Sequence, residues 1–284
     1  MLRAILRERL MDLLEEDVGM GDLTTEAVVP AEIKVEAYII VNEPAVIAGL
    51  YEASILFEIV DAEFKAEVED GAEVSAGTVI AEVNGSGRAI LSAERTALNI
   101  LMRMSGIATL TRKLVSIIRR EGLNVRVAAT RKTAPGLRYF DKRAVAIGGG
   151  DTHRFRLDDA ILIKDNHIRI AGGVGEAIRR ARSAISFSKK LEVEVKTVYE
   201  ALEAAKAGAD IIMLDNMSVG EVEETIRSLR DEGLRDRVLI EVSGGIDEGN
   251  ILEYARLKPD VISLGFLTHS VRAVDMSLEI NRVF

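Results

Sequence analysis

The chain has 284 residues and a formal net charge of −9, which argues against a general nucleic-acid binder presenting a basic face. It contains no cysteine, which excludes disulfides, thiolate nucleophiles and cysteine metal sites, and it has no run of roughly 20 apolar residues of the kind a membrane span needs. Hydrophobic residues make up 48% and charged residues 29%, enough for a core in one large domain or two modest ones; the opening MLRAILRERLMDLLEED lacks a secretory apolar segment, so a cytoplasmic location is expected.

In chain order, Ile5, Leu6, Leu10, Leu13 and Leu14 at helical spacing predict an opening helix that stops at the glycines of DVGMGD. KVEAYIIV, PAVIAG and AEFKAEV read as strands, the last from alternating Phe64, Ala66 and Val68, while LYEASILFEIV between them reads as a helix. DGAEVSAGTVIAEVNGSGRAIL places turn glycines between short strands and resembles half of a lipoyl or biotinyl carrier module. It has no lysine to modify, so it is read as a sandwich-like β-fold without a swinging arm. Two helices are then expected, SAERTALNILMRM with Ser92 as N-cap, and IATLTRKLVSIIRREG.

From there the texture changes. VRVAAT, AVAIGGG, AILIKD, LEVEV, DIIMLD, VLIEVSGG and VISLG read as β-rich runs, and VYEALEAAKAG, VGEVEETIRSLRDEG and EGNILEYARL as helices. Such alternation means parallel strands joined by helical crossovers. The strands are fewer than the eight of a complete barrel, and the GxGxxG fingerprint of a doubly wound dinucleotide fold is missing. The expected fold class is therefore α/β, an open and incomplete (β/α) barrel over residues 106–266. An α+β sandwich-like domain over residues 1–105 precedes it, and residues 267–284 are expected to return to that domain.

The residues at successive strand tips are Arg131 and Lys132, Lys164, Glu194, Asp215, Ser243-Gly244-Gly245 and Gly265. One polar tip is ordinarily a helix cap. Cations, carboxylates and glycine turns on one rim predict a site, because the βα loops of such barrels converge there. The SGG and LGFLTHS turns suggest an anion-binding concavity. Glu194 and Asp215, on neighbouring strands, suit Mg²⁺ shared with substrate phosphates. His153 and His167 lack a third ligand at zinc spacing. Lys164 on its own would also suit Schiff-base chemistry.

The motifs LLEEDVGMGDLTTE, ERTALNILMRMSGIAT, ATRKTAPGLRYFDKRAV, GGGDTHRFRLDDAILIKDNH, EVEV, IIMLDNMS, IEVSGGI and SLGFLTHS run from end to end. Together they resemble the quinolinate phosphoribosyltransferase family. That resemblance implies joining of quinolinate to phosphoribosyl pyrophosphate with Mg²⁺, then loss of carbon dioxide to give nicotinate mononucleotide. It implies a cationic pocket made by Arg95, Arg131, Lys132, His153 and Arg154, with Thr130 also binding substrate and Lys164 between the pyridine and the ribosyl donor. Arginine suits this role because its planar fork matches a carboxylate bidentately. Glu194 and Asp215 are expected to handle the ribose hydroxyls and the metal, so that Lys132, Lys164, Glu194 and Asp215 carry the chemistry. Ser243, Gly244 and Gly245, with Leu264, Gly265 and Phe266, are expected to hold the 5′-phosphate. The resemblance further implies a homodimer in which Arg95 reaches the partner's site. The chain departs from the family at Arg156, where a small residue is usual. A phosphoribosyltransferase of the same fold acting on another acid, such as nicotinate, is the nearest alternative.

Overall fold

The structure, a computed structural model, describes residues 1–284. The chain begins with α1 (Arg3–Val18), α2 (Leu23–Val28), β1 (Lys34–Val41), β2 (Ala45–Val46) and α3 (Leu50–Ile59). There follow β3 (Glu63–Ala66), β4 (Glu73–Val74), β5 (Val79–Ser86), α4 (Gly87–Arg120), β6 (Arg126–Ala128) and α5 (Arg138–Ile147). Next are β7 (Ile161–Ile163), α6 (Asp165–Ala171), α7 (Val174–Ala184), β8 (Leu191–Val195), α8 (Val198–Ala207) and β9 (Ile211–Asp215). The chain closes with α9 (Val219–Asp231), β10 (Leu239–Ser243), α10 (Ile251–Arg256), β11 (Val261–Ser263), α11 (Phe266–His269) and β12 (Met276–Val283). None of the helices is long and apolar enough to cross a membrane.

Two compact units emerge: Met1–Leu110 with Tyr139–Gly148 and Val271–Phe284, and Thr111–Arg138 with Gly149–Ser270. In the first, β12, β1, β5 and β3 form an antiparallel sheet in that order, and β2 and β4 form a small second sheet. The alternation in KVEAYIIV puts Val35, Ala37, Ile39 and Val41 on the buried face of β1. Helix α1 turns Leu6 and Leu10 into the core and stops at Gly19, whose φ of 56° few other residues tolerate.

The two helices expected after β5 are one, because α4 runs without a break for 34 residues and Ser92 lies inside it rather than capping it. The Ser105-Gly106 pair between the two expected segments is an approach point. A Cβ on Gly106 would sit 2.2 Å from the Arg272 carbonyl oxygen, and Ser105 Oγ accepts the Ala48 N–H at 3.0 Å. Glycine is present to let another strand of chain pass close by. A boundary at 105/106 therefore falls within a continuous helix.

AVAIGGG, read as β-rich, belongs to helix α5 and the turn after it. Phe140, Asp141, Ala144 and Val145 form one buried face, the spacing of a helix rather than a strand. Arg103 grips Asp141 with both ends of its guanidinium, at 2.7 and 2.9 Å. Arg143 lies 2.8 Å from Glu52 and 3.0 Å from Asp70. These pairs bind residues 139–148 to the first unit, which the expected barrel span of 106–266 did not anticipate.

In the second unit six strands form a parallel sheet in the order β6, β11, β10, β9, β8, β7. β6 and β7 are the two ends of that order and do not pair, so the barrel is open. Parallel register sets Glu194 beside Met213, Ser243 beside Asp215, and Ser263 beside Ser243. Residues in register share a face of the sheet, so the polar side chains of these strands collect on one side. The alternate residues Val193, Ile212, Leu214, Ile240, Val242 and Ile262 are buried on the other.

Candidate active site

Parallel strands bring their C-terminal tips to one end, and there a cavity of about 300 Å³ opens. Thr130, Arg131, Lys132, His153, Arg154, Lys164, Glu194, Asp215 and Ser243 all line it. They come from the loops after β6 and α5, the tip of β7, and β8, β9 and β10. This size lies at the lower end of the range for small-molecule sites.

The carboxylate-recognising chemistry is concentrated on one wall. Arg131 has a buried Nε with no hydrogen-bond partner, a costly arrangement unless a ligand completes it. Arg154 anchors one end of its guanidinium on the Ala160 carbonyl at 2.9 Å. Burial, then the neighbouring Arg131 charge, draw the Arg154 guanidinium below its usual range, and Glu192 opposes them. Two repelling guanidinium groups held at one cavity wall are suited to a dianion. Lys132 is exposed, and its loop is pinned where Thr268 Oγ1 donates to the Lys132 carbonyl at 2.8 Å.

Lys164 Nζ donates to Glu194 Oε2 at 2.6 Å, the lysine side chain 47% exposed and the glutamate 10%. The bond ties the tip of β7 to β8 and leaves other lysine protons for a ligand. Asp215, two positions beyond the Glu194 register partner Met213, makes no ion pair. His167 has a structural task, since its Nδ1 accepts the Lys164 N–H at 2.9 Å and caps α6.

His153 occupies a left-handed backbone position, φ 51°. Its Nε2 lies 3.1 Å from Glu241 Oε2 and 3.5 Å from Glu192 Oε2. Burial opposes a charge on this ring, but hydrogen bonds and the charges of the two glutamates prevail and push it up to about 10. Both glutamates are 1% exposed, and burial raises the Glu192 carboxyl. Neither was singled out from sequence. The signal was present in LEVEV and VLIEVS, where glutamates alternate with apolar residues and so face the barrel interior.

The glycine turns differ from one another. Gly244 and Gly245, at φ 89° and 65°, occupy the left-handed region, and a Cβ on Gly244 would collide with the Asn216 side chain. Gly265, in contrast, is ordinary in backbone, φ −67°. Its lack of a side chain serves close packing, with Lys132 Cδ 3.0 Å and His269 Cδ2 3.1 Å from a Cβ placed there. Gly244, Gly245, Leu264, Gly265 and Phe266 follow β10 and β11 at the same end of the sheet but do not line the cavity. Arg95 is exposed on α4 and does not line it either. Arg156 forms a two-point ion pair with Asp158 at 3.0 Å on the surface.

Residues 22–105 match the family model of the quinolinate phosphoribosyl transferase N-terminal domain, and residues 107–279 that of its C-terminal domain. The probable carboxylating nicotinate-nucleotide pyrophosphorylase of Methanocaldococcus jannaschii is 50% identical over 285 residues, covering 99% of each chain. A decarboxylating quinolinate phosphoribosyltransferase of Nicotiana tabacum is 38% identical over 97% of this chain and 82% of its own. The solved structure of the Francisella tularensis nicotinate-nucleotide pyrophosphorylase superposes with a TM-score of 0.91 at 36% identity, over 99% of this chain and 98% of that one. With both domain models matched in order, and the motif residues gathered at one cavity, the chain belongs to the quinolinate phosphoribosyltransferase family.

Proposed function

We propose that this chain transfers the phosphoribosyl group of phosphoribosyl pyrophosphate to the pyridine nitrogen of quinolinate and releases pyrophosphate and carbon dioxide, giving nicotinate mononucleotide for pyridine nucleotide synthesis. The observation that carries the reading is the pair of guanidinium groups in the cavity, one with an orphaned buried N–H, a good match for vicinal carboxylates on a flat ring. Arg131 and Arg154 hold the acid, and Lys132 adds charge at the entrance. Lys164, tethered to Glu194, sits where ring and ribosyl donor meet.

Glu194 and Asp215 face the anomeric carbon and oppose the positive charge that builds there as pyrophosphate departs. They are two hard oxygen donors on one cavity wall, which fits Mg²⁺, an ion that keeps waters and adds substrate phosphate oxygens. When bound, Mg²⁺ neutralises charge on the leaving pyrophosphate. The backbone turns after β10 and β11 are assigned the 5′-phosphate. Once the ring nitrogen carries ribose, the pyridinium accepts the electron pair of the breaking C–CO₂ bond, and a proton then takes the place of the lost carboxylate. The protein contributes orientation and fixed charge. A homodimer in which exposed Arg95 completes the partner's cavity, and a cytoplasmic location, belong to the same reading.

The test supplies phosphoribosyl pyrophosphate and Mg²⁺ with quinolinate or nicotinate in parallel, following nicotinate mononucleotide and released carbon dioxide. Product from quinolinate alone is expected. Product from nicotinate alone, or from neither acid, would refute the dicarboxylate assignment.

A further inference from the structure

Both ring nitrogens of His153 are occupied by the protein. Nε2 faces Glu241 Oε2 at 3.1 Å and Glu192 Oε2 at 3.5 Å, and Nδ1 lies against the Arg154 backbone nitrogen at 2.8 Å. The His153 backbone N–H is held by Asp151 Oδ1 at 2.8 Å. A ring held this way has no nitrogen left to offer a substrate. It does fix the backbone from which Arg154 springs, in a left-handed conformation uncommon outside glycine.

The glutamates beneath it are hard to explain by stability. Each is 1% exposed, and Oε1 of each is buried without a partner. Buried ionic clusters can often be replaced by apolar side chains without loss of stability, and an orphaned oxygen adds a further penalty. The charges also act on the site, because Glu192 offsets the mutual repulsion of Arg131 and Arg154.

We infer that Glu192 and Glu241 are positioning residues of the carboxylate subsite, acting from beneath the cavity through His153 to aim Arg154 and to hold it beside Arg131. His153 is then a strut between the glutamates and the arginine pair, and the ring carboxylates are met by the guanidinium groups.

The inference rests on the quinolinate reading, and two measurements keep the two apart. Wild-type turnover with quinolinate tests that reading. Calorimetric binding of benzene-1,2-dicarboxylate, which cannot react, tests this one in wild type, Glu192→Gln and Glu241→Gln, alongside steady-state kinetics and thermal midpoints. Each variant is expected to weaken dicarboxylate binding and raise the quinolinate KM by about tenfold or more, with the phosphoribosyl pyrophosphate KM little changed and a cooperative thermal transition retained. Glu241→Asp, which restores the charge, is expected to recover part of the loss. Unchanged dicarboxylate binding, or an equal rise in both KM values, would overturn the assignment, the second outcome marking a purely structural role.

Discussion

His153 keeps its proton up to about pH 10 because two glutamates outweigh the cost of burying its charge. An imidazole in the unfolded chain loses its proton near 6.5. The folded state therefore binds a proton more tightly, and the resulting stability is fully present below about pH 6.5 and lost as pH rises through about 10. Across that window the thermal midpoint should fall. In Glu241→Gln, with one supporting carboxylate gone, the fall should end at lower pH and be smaller. A series of midpoints from about pH 6 to 10 checks this, and a wild-type curve as flat as that of the variant would mean that the ring is neutral throughout. The residues that the sequence made legible here are those at strand tips, where a charge has no apolar neighbour to hide it. Arg131, Lys164 and Asp215 stood out in that way. Glu192 and Glu241 lie inside runs that read as ordinary strands, and only the pairing of β7 to β10 shows that both reach one imidazole. His167 drew attention as a histidine among cations, yet its Nδ1 is spent on capping α6.

At the scale of elements, periodicity served best where one face is buried and the other is not. β1 follows its alternation residue by residue, and the strand runs from β8 to β11 fall where apolar stretches meet turn signals. Helix α5 was misread because Ala-Val-Ala-Ile fits either period over so short a run. The deciding contacts, Asp141 with Arg103 and Arg143 with Glu52 and Asp70, join residues far apart in sequence. Gly106 makes the same point for α4. A glycine inside a helix ordinarily weakens it relative to alanine, so local propensity favours Gly106→Ala. The structure favours the opposite sign, because the new methyl would meet the Arg272 carbonyl oxygen, and backbone cannot swing aside as a side chain can. Overpacking of this kind costs about 2 kcal/mol, enough to lower the thermal midpoint by roughly 5 °C in a chain of this size. Gly220, with nothing within 4 Å of a Cβ, is the control in α9, and alanine there should raise the midpoint slightly. A midpoint for Gly106→Ala at or above wild type would show that residues 272 and 273 shift away freely.

At the scale of the whole molecule, one member of the motif set stands apart. Arg131, Arg154 and Lys164 line the cavity, whereas Arg95 is exposed on α4, makes no ion pair and does not line it. A cation kept free on a surface, in a chain that matches its family from residue 22 to 279, calls for a use outside its own subunit. The proposed homodimer supplies one, since two-fold symmetry offers each Arg95 the other subunit's cavity. The residues alone name Arg95, and only the family resemblance supplied an expected destination, which depends on a surface meeting a copy of itself. Mixed dimers separate the possibilities. Arg95→Ala and Lys164→Ala chains should each be nearly inactive alone. Co-expressed in equal amounts, half of the randomly assorted dimers pair the two kinds, and each of these has one cavity with its own Lys164 and an intact Arg95 from the partner, so activity should return to about a quarter of wild type. If Arg95 served the cavity of its own chain, every cavity in the mixture would lack one group or the other, and the mixture would be no more active than its parents.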